Sequence, residues 1–502
     1  MYKISLLDRL KSWKSLLKIA VIEPLLRTNK NIIRDVIYGC WCGGKRIGGA
    51  TVPPFEQLTI AAILKNDGHD VVFVDAQMEQ LSIDGILQRV EGCRLVITST
   101  SVMTINDDAA FVSRIRQDKP EIKFVAYGSH ATFEPMETLK KGYDYAVQRE
   151  PEWVLRDLAR FMEDEDSESI FNLLGLSFLD TDGSLIKNNR YPFIEDLDQI
   201  PPIDVTMLSD DYVYFNPIVR NLPYITVSSS HGCPAKCSYC TAPFFHGTRT
   251  RFASATKVLS EIEHYLSSGI KEIYYRDETF TADRQRVVDI CNGVIERGLR
   301  FSWICNSRVD TIDRELVFLM KKAGCHLIKF GAESGNQQVL DNVKKGITLA
   351  QSRNAFNWCR DAGINTHAHF MVGMPGDTRE TMEETFQFAC ESEPSTVTFG
   401  ICTPYPGTPL FRDIARQDDS IGDGADNANI ARLHTEGDYN ALYCSVDGAE
   451  LNKTVKRFYR RFYLRPGYLF RSLVRIKNGN MLRNLVVGGF NVVTFALSKK
   501  NA

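Results

Sequence analysis

Twice along this chain, short apolar segments of strand length alternate with segments of helical period, and few folds accommodate that rhythm. The first run has strand candidates at Lys18–Glu23, Asp70–Val74, Leu95–Ser99, Lys123–Tyr127 and Tyr143–Val147, separated by helical spacing such as Phe55–Asn66 and Asp107–Gln117. Parallel strands joined by helical crossovers satisfy this pattern, so a doubly wound, Rossmann-like α/β sheet is predicted, with its ligand crevice beyond the strand C-termini. The second run starts at Tyr224, with strands near 224–230, 271–276, 300–305, 326–331, 364–371 and 395–401. Six such units fit an incomplete parallel (β/α)6 barrel, whose chemistry would sit on the loops after the strands. Between the runs, the turn Asp180-Thr181-Asp182-Gly183 and the Ile200-Pro201-Pro202 stretch read as a linker with a small β element.

The expected organisation is a basic amphipathic helix at 1–17, an α/β domain at 18–165, the linker at 166–222, the partial barrel at 223–411, and a mainly helical basic extension at 412–502. A 502-residue chain with 44% hydrophobic residues can bury several cores. It has no run of about 18 apolar residues and no secretion-signal pattern, so a cytoplasmic location is expected. The net charge of −2 hides an asymmetry: residues 451–502 carry 12 Lys and Arg and no Asp or Glu. Thirteen cysteines in such a chain point to reduced thiols and metal ligation where the spacing is tight.

The tight spacing is His231-Gly232-Cys233-Pro234-Ala235-Lys236-Cys237-Ser238-Tyr239-Cys240, just after the first barrel strand. Three thiolates on one loop, Cys233, Cys237 and Cys240, suit three irons of a [4Fe–4S] cluster and leave the fourth iron open. Zinc is the alternative, with His231 or His246 as the fourth ligand.

This loop resembles the signature of the radical S-adenosylmethionine (SAM) enzymes. The resemblance implies that the open iron chelates SAM and that the cluster's electron cleaves it to a 5′-deoxyadenosyl radical, with Tyr239 packing near the adenine. Further matches follow the later strands. Arg276-Asp277-Glu278-Thr279-Phe280 is similar to the element that meets the SAM amino group, which implies Glu278, with Asp277 second, for that contact. Cys305-Asn306-Ser307-Arg308 resembles a motif whose arginine approaches the SAM carboxylate. Gly331-Ala332-Glu333-Ser334-Gly335 resembles one whose carboxylate binds the ribose. Phe370-Met371-Val372-Gly373-Met374-Pro375-Gly376-Asp377 resembles one whose backbone lines the adenine, which implies Gly373 and Pro375. SAM is a cation bearing hydroxyls and a carboxylate, so a site of acceptors, one cation and close-approach glycines suits it.

An α/β domain ahead of such a barrel resembles the cobalamin-binding subgroup, which includes class B methylases, the anaerobic magnesium-protoporphyrin ester cyclase and hopanoid-pathway enzymes. Gly48-Gly49-Ala50-Thr51, Gly68-His69-Asp70, Tyr127-Gly128-Ser129-His130 and Arg149-Glu150-Pro151-Glu152 look like stations of that domain. Ser99, Gly128, Ser129, His130 and Glu150 are the implied cobalamin contacts. Two departures stand out: Glu23-Pro24-Leu25-Leu26 replaces the Asp-x-His-x-x-Gly that would supply a lower cobalt ligand, and Arg149 stands where glycine is expected. Cys40 and Cys42 read as unpaired loop cysteines.

At the N-terminus, Leu6, Leu10, Trp13 and Leu17 form one helical stripe with lysines mostly elsewhere, the pattern of an interfacial helix. The tail interleaves aromatics and arginines over Phe458–Arg465 and then runs apolar from Leu485 to Leu497. Docking on the inner face of a membrane is preferred to nucleic-acid binding, and a helical cap on the barrel is the competing reading. The resemblance then implies radical modification of an unactivated carbon of an apolar small molecule, fed by a reductase, flavodoxin or ferredoxin. Cobalamin-dependent methyl transfer is the main reading. Ring closure or other radical chemistry is the alternative, and a non-catalytic cobalamin sensor is the alternative of another class.

Overall fold

The computed structural model describes residues 17–25, 34, 47–163, 169–209, 213–417, 440–476 and 478–498. The N-terminal helix expected before Leu17, and Cys40 and Cys42, lie outside the described residues. The chain divides into two compact units, one of residues 1–30, 56–193 and 200–210, the other of 31–55, 194–199 and 211–502.

In the first unit, β1 (Lys18–Glu23), β2 (Asp70–Asp75), β3 (Leu95–Ser99), β4 (Lys123–Tyr127) and β5 (Tyr145–Val147) are parallel, in the order β2-β1-β3-β4-β5. Ile19, Val21, Val96, Ile97, Phe124 and Val125 are all buried, so both strand faces are covered and the strands read as continuous apolar runs. Helices α1 (Phe55–Asn66), α2 (Ile83–Arg89), α3 (Ile105–Asp118), α4 (Ser129–Phe133), α5 (Pro135–Lys140) and α6 (Glu152–Glu163) make the connections. The small β element of the linker is β6 (Leu176–Leu179) and β7 (Leu185–Lys187), which extend this sheet antiparallel from β5. The strand order reverses between β1 and β3, where doubly wound sheets open a crevice at their C-terminal edge.

The second unit is a parallel sheet of β8 (Tyr224–Val227), β11 (Glu272–Tyr275), β12 (Ser302–Ser307), β13 (Cys325–Glu333), β14 (Asn365–Val372) and β15 (Thr396–Ile401), with β9 (Ser230–His231) and β10 (Arg251–Phe252) forming a small ribbon beside it. The sheet is open, with β8 and β15 at its edges. Crossover helices α7 (Ala255–Ser267), α8 (Arg284–Glu296), α9 (Arg314–Lys322), α10 (Gln337–Asn342), α11 (Leu349–Asp361) and α12 (Arg379–Ser392) follow the strands. Ser254, Asp283, Asp313, Asn336, Thr348 and Thr378 each cap the helix after them through a side-chain oxygen. These caps satisfy orphan amide groups and so fix where the loop before each of these helices ends.

The β15 edge is covered from the C-terminal extension, in which α13 (Pro409–Ala415), α14 (Gly448–Tyr463), α15 (Pro466–Val474) and α16 (Gly479–Leu497) follow. Phe458, Tyr459 and Phe462 are buried against Phe399 and Phe386. The Tyr463 hydroxyl accepts from the Val397 amide at 2.9 Å and donates to its carbonyl at 2.7 Å. Tyrosine hydroxyls thus complete an edge strand that would otherwise expose its backbone. The aromatic half of the Phe458–Arg465 run is therefore core, as the helical-cap reading required, while the outward faces of α15 and α16 are apolar.

Candidate active site at the strand C-termini

The cysteine loop leaves β8 through Ser228-Ser229-Ser230, and Asp277 holds that exit. Its carboxylate accepts from the Ser229 amide at 2.7 Å, the Ser229 hydroxyl at 2.8 Å and the Ser230 hydroxyl at 2.7 Å. Arg286 donates to the Ser229 carbonyl and hydroxyl at 3.0 and 2.8 Å from behind. Burial pushes the Asp277 carboxyl up, and Arg286 and the serine donors pull against it. Gly232 has φ +95°, and a Cβ there would stand 2.2 Å from the Arg249 carbonyl oxygen. Only glycine fits that approach.

The three thiols are free and close enough to act on one another. Burial raises the Cys233 and Cys240 thiols, and the charges of neighbouring cysteines raise them further. Next to them Glu278 is buried, with Oε1 2.5 Å from His246 Nδ1 and 3.3 Å from the Gly232 amide. Burial would raise this carboxyl, but His246 and His231, stacked with ring centroids 4.6 Å apart, hold it below the usual range. Its other oxygen, Oε2, is buried and has no hydrogen-bond partner among the described residues. A buried carboxylate oxygen without a donor is a vacancy for an ammonium or hydroxyl group.

On the opposite side, Arg308 is held bidentate by Asp310 at 2.9 Å for both bonds and donates to the Lys345 carbonyl at 3.0 Å. Cys237 and Cys233 both act on its charge. Glu333 ends β13 at a register irregularity, with φ +63°, and receives Lys345 Nζ at 2.7 Å. A non-glycine residue in the left-handed region is strained by about 1–2 kcal/mol. Gly331 makes the fold-back feasible, because a Cβ there would stand 2.3 Å from Glu333 Oε1. Lys345 also reaches the Tyr239 hydroxyl at 3.5 Å. Burial alone would lower the Lys345 ammonium, yet Glu333 and Cys237 outweigh it and raise it.

The loop after β14 closes this side. Met374 packs in one buried cluster with Cys237 and Tyr239. Gly373 has φ +71°, its carbonyl accepts from Asn440 at 3.0 Å, and a Cβ there would meet Leu451 Cδ1 at 2.7 Å. The Pro375 carbonyl accepts from Asn342 at 3.0 Å. Ser334 turns away, to Thr385 Oγ1 at 3.0 Å, and with it anchors the strand exit. Cys233, Cys237, Cys240, Tyr239, Arg308 and Glu333 thus share one electrostatic neighbourhood with Lys345, whereas Asp277 and Ser334 are engaged in bracing the loops.

In the first unit, the C-terminal edge of the sheet gathers Glu23, Ser99, Gly128 and Glu150. Gln57 donates to Ser99 Oγ at 3.0 Å and also to Glu23, whose other oxygen receives Gln77 at 2.6 Å. Gly128 has φ +102°, and a Cβ there would stand 2.7 Å from the Thr100 carbonyl oxygen. Ser129 and His130 are buried, and His130 Nε2 lies 3.1 Å from the Glu137 carboxylate of α5. Thr100 Oγ1 and His130 Nδ1 are buried without hydrogen-bond partners among the described residues. Arg149 occupies φ +64°, the conformation for which glycine is expected.

Residues 227–389 match the Radical SAM superfamily, and residues 48–159 match the B12 binding domain. An uncharacterized methyltransferase of Pyrococcus horikoshii, PH0819, is 30% identical over 86% of this chain and 92% of its own length. The chain belongs to the radical SAM superfamily. The anaerobic magnesium-protoporphyrin IX monomethyl ester cyclase of Rubrivivax gelatinosus is 30% identical over 85% of this chain and 76% of its own. Among solved structures, the cobalamin-dependent radical SAM enzyme OxsB superposes with a TM-score of 0.72 over 97% of this chain and 73% of its own, at 16% identity. The methyltransferase TsrM of Kitasatospora setae superposes with a TM-score of 0.62 over 80% and 75%, at 18% identity.

This radical SAM enzyme therefore works with a [4Fe–4S] cluster and SAM, and its B12 binding domain is the place for cobalamin. The residues present fit the groups. Three free thiols on one loop, two of them buried, suit three irons, the open Glu278 Oε2 suits an ammonium, and the orphaned polar atoms of Thr100 and His130 suit an amide-rich corrinoid. Sequence reasoning missed Lys345, and with it a polar network inside the barrel. Lys329 Nζ donates to the Tyr274 hydroxyl at 2.6 Å, which donates to Asn306 at 3.2 Å, and Arg276 Nη1 lies 3.5 Å from the same hydroxyl. His367 and His369 pair with Thr396 and Thr398, each at 2.7 Å. Burial, reinforced by Lys329, drives both imidazoles well below their ordinary range, so they stay neutral. The period-2 spacing of Tyr274 with Arg276 and of His367 with His369 was the available signal, since it puts each pair on one face of a strand.

Proposed function

We propose that the protein transfers a methyl group to an unactivated carbon of an apolar small molecule. When bound, the cluster and SAM supply a carbon-centred radical and cobalamin supplies a transferable methyl group. In this reading Cys233, Cys237 and Cys240 hold the cluster, and Glu278 Oε2 receives the SAM ammonium. Arg308 offsets the thiolates and faces the SAM carboxylate, Glu333 takes the ribose hydroxyls, and Tyr239, Gly373 and Pro375 line the adenine. In the first unit, Ser99, Gly128, Ser129, His130 and Glu150 border the corrinoid. The lumen residues Arg276, Lys329, His367 and His369 position the substrate and exclude water from the radical. The observation that carries the reading is the orphaned Glu278 oxygen beside three free thiols, of which Cys233 and Cys237 are buried. Ring closure, the activity named for the cyclase relative, is the second reading. Anaerobically reconstituted protein, reduced in the presence of SAM, should release 5′-deoxyadenosine and S-adenosylhomocysteine with a methylated product. 5′-Deoxyadenosine without S-adenosylhomocysteine would favour ring closure, and neither would end both readings.

The apolar substrate goes with a membrane-surface position. Phe470, Val474 and Phe490, on the outward faces of α15 and α16, are 69%, 68% and 72% exposed, and Leu473, Leu482, Val486 and Leu497 are exposed as well. The segment carrying them is basic and lacks acidic residues, so an anionic bilayer is the occupant that complements it in both hydrophobicity and charge. No helix among the described residues is long and apolar enough to cross a membrane. Full-length protein should sediment with phosphatidylglycerol vesicles, and the triple variant Phe470→Ser, Val474→Ser, Phe490→Ser should not. Equal sedimentation, or a wild-type dimer that the variant loses, would refute the position.

A further inference from the structure

At the end of the barrel opposite the cysteine loop, the starts of β11, β12 and β13 border a cavity of ≈ 700 Å³. Arg220, Lys271, Arg300, Lys321 and His326 line it, and among the described residues no Asp or Glu does. Glu272, the neighbouring acid, is already saturated. Its carboxylate accepts from the Arg220 and Asn221 amides at 3.1 and 2.8 Å, the Ser302 hydroxyl at 2.5 Å and His326 Nε2 at 2.8 Å. These donors outweigh its burial and keep the carboxyl below its usual range.

Lys321 donates to the Gly363 carbonyl at 2.6 Å, a contact at the C-terminal end of α11 that explains its position. Arg220, Lys271 and Arg300 have no such account, and none forms an ion pair with a described residue. His326 is 2% exposed, and its Nδ1 is buried with no hydrogen-bond partner among the described residues. Arg220 Nε is in the same condition. A concave site lined by cations, with the buried Arg220 Nε–H left unpaired, has the chemistry of an oxyanion receptor. Arginine forks match phosphoryl oxygens bidentately.

We propose that this cavity binds a phosphate-bearing small molecule, with Arg220 at its floor and Lys271 and Arg300 at its mouth. Its size favours a diphosphate or a nucleotide over a lone phosphate. Because the strands run from this end to the cluster face, the ligand is remote from the chemistry and serves as an effector rather than a reactant.

The test is anaerobic calorimetric titration of the cluster-loaded full chain with phosphate, pyrophosphate and ADP, beside the variant Lys271→Ala, Arg300→Ala. Both substituted residues lie on the surface, away from the catalytic loops, so folding and SAM binding should persist. Saturable binding of pyrophosphate or ADP, weakened at least about tenfold in the variant, is expected from the loss of two charge-assisted contacts. Tighter binding of ADP than of pyrophosphate would identify a nucleotide as the ligand class. No wild-type binding at millimolar concentration, or equal binding by the variant, which would place the ion elsewhere on the basic surface, would overturn the proposal.

Discussion

Replacing Lys345 with methionine would leave the Glu333 carboxylate without the ammonium that holds it at 2.7 Å. The two side chains are 8% and 9% exposed, so solvent cannot take over that role. An exposed ion pair contributes about 0.2–1 kcal/mol, whereas orphaning one partner of a buried pair destabilises by about 3–5 kcal/mol. At about 2–4 °C per kcal/mol for a large domain, Lys345→Met should lower the melting temperature by about 6–20 °C. Circular dichroism on anaerobically reconstituted protein measures this directly. The double variant Glu333→Gln, Lys345→Met should recover much of the loss, because it removes the stranded charge along with its partner. A fall of less than about 1 kcal/mol in the single variant, or an equal fall in the double one, would show that the pair behaves like a surface pair and that burial does not govern this site.

Glu278→Gln keeps the shape of the side chain and removes its charge, so the dissociation constant for SAM should rise by about 10–150-fold at unchanged iron content. An unchanged constant would exclude Glu278 from the ammonium contact. Burial pushes the Asp377 carboxyl up to about 6. The native state therefore holds a proton that the unfolded state has lost, so the contribution of Asp377 to stability should decline as pH rises from about 4 to about 6 and then level off. Asp377→Asn should lack that decline, and parallel melting profiles would contradict it. Gly128→Ala drives a Cβ to within 2.7 Å of the Thr100 carbonyl oxygen at φ +102°, so corrinoid retention after gel filtration should fall while cluster iron stays constant.

The strands of the first unit were legible almost to the residue, since Lys18–Glu23, Leu95–Ser99 and Lys123–Tyr127 are apolar runs bounded by polar or glycine-containing turns. The hairpin's attachment to β5 was not, because pairing partners depend on register and not on local composition. The cysteine loop announced itself by its spacing. Lys345 did not, since nothing in Lys344-Lys345-Gly346 distinguishes a buried ammonium from a solvated one, and only the strained fold-back of Glu333 brings the two together. Arg276, Lys329, His367 and His369 are single polar residues inside apolar strands. Their meaning depends on which face looks into the barrel. The Phe458–Tyr463 run looked like a surface because aromatics alternate with arginines, but a 3.6-residue period places Phe458, Tyr459 and Phe462 on one side, against an edge strand the sequence alone could not locate.

The grip of Asn440 and Leu451 on Gly373 has a practical corollary. Deleting the whole extension from residue 412 to ask whether it anchors the enzyme would also unlatch the loop proposed to line the adenine, because Asn440 ties the Gly373 and Cys402 carbonyls together and Tyr443 receives the Gly376 amide. On the proposed reading, truncated enzyme would lose vesicle attachment and turnover in one stroke, and the two losses could not be told apart. Tests of the proposed surface attachment and nucleoside recognition come apart only when the outward side chains are changed one by one on an intact extension.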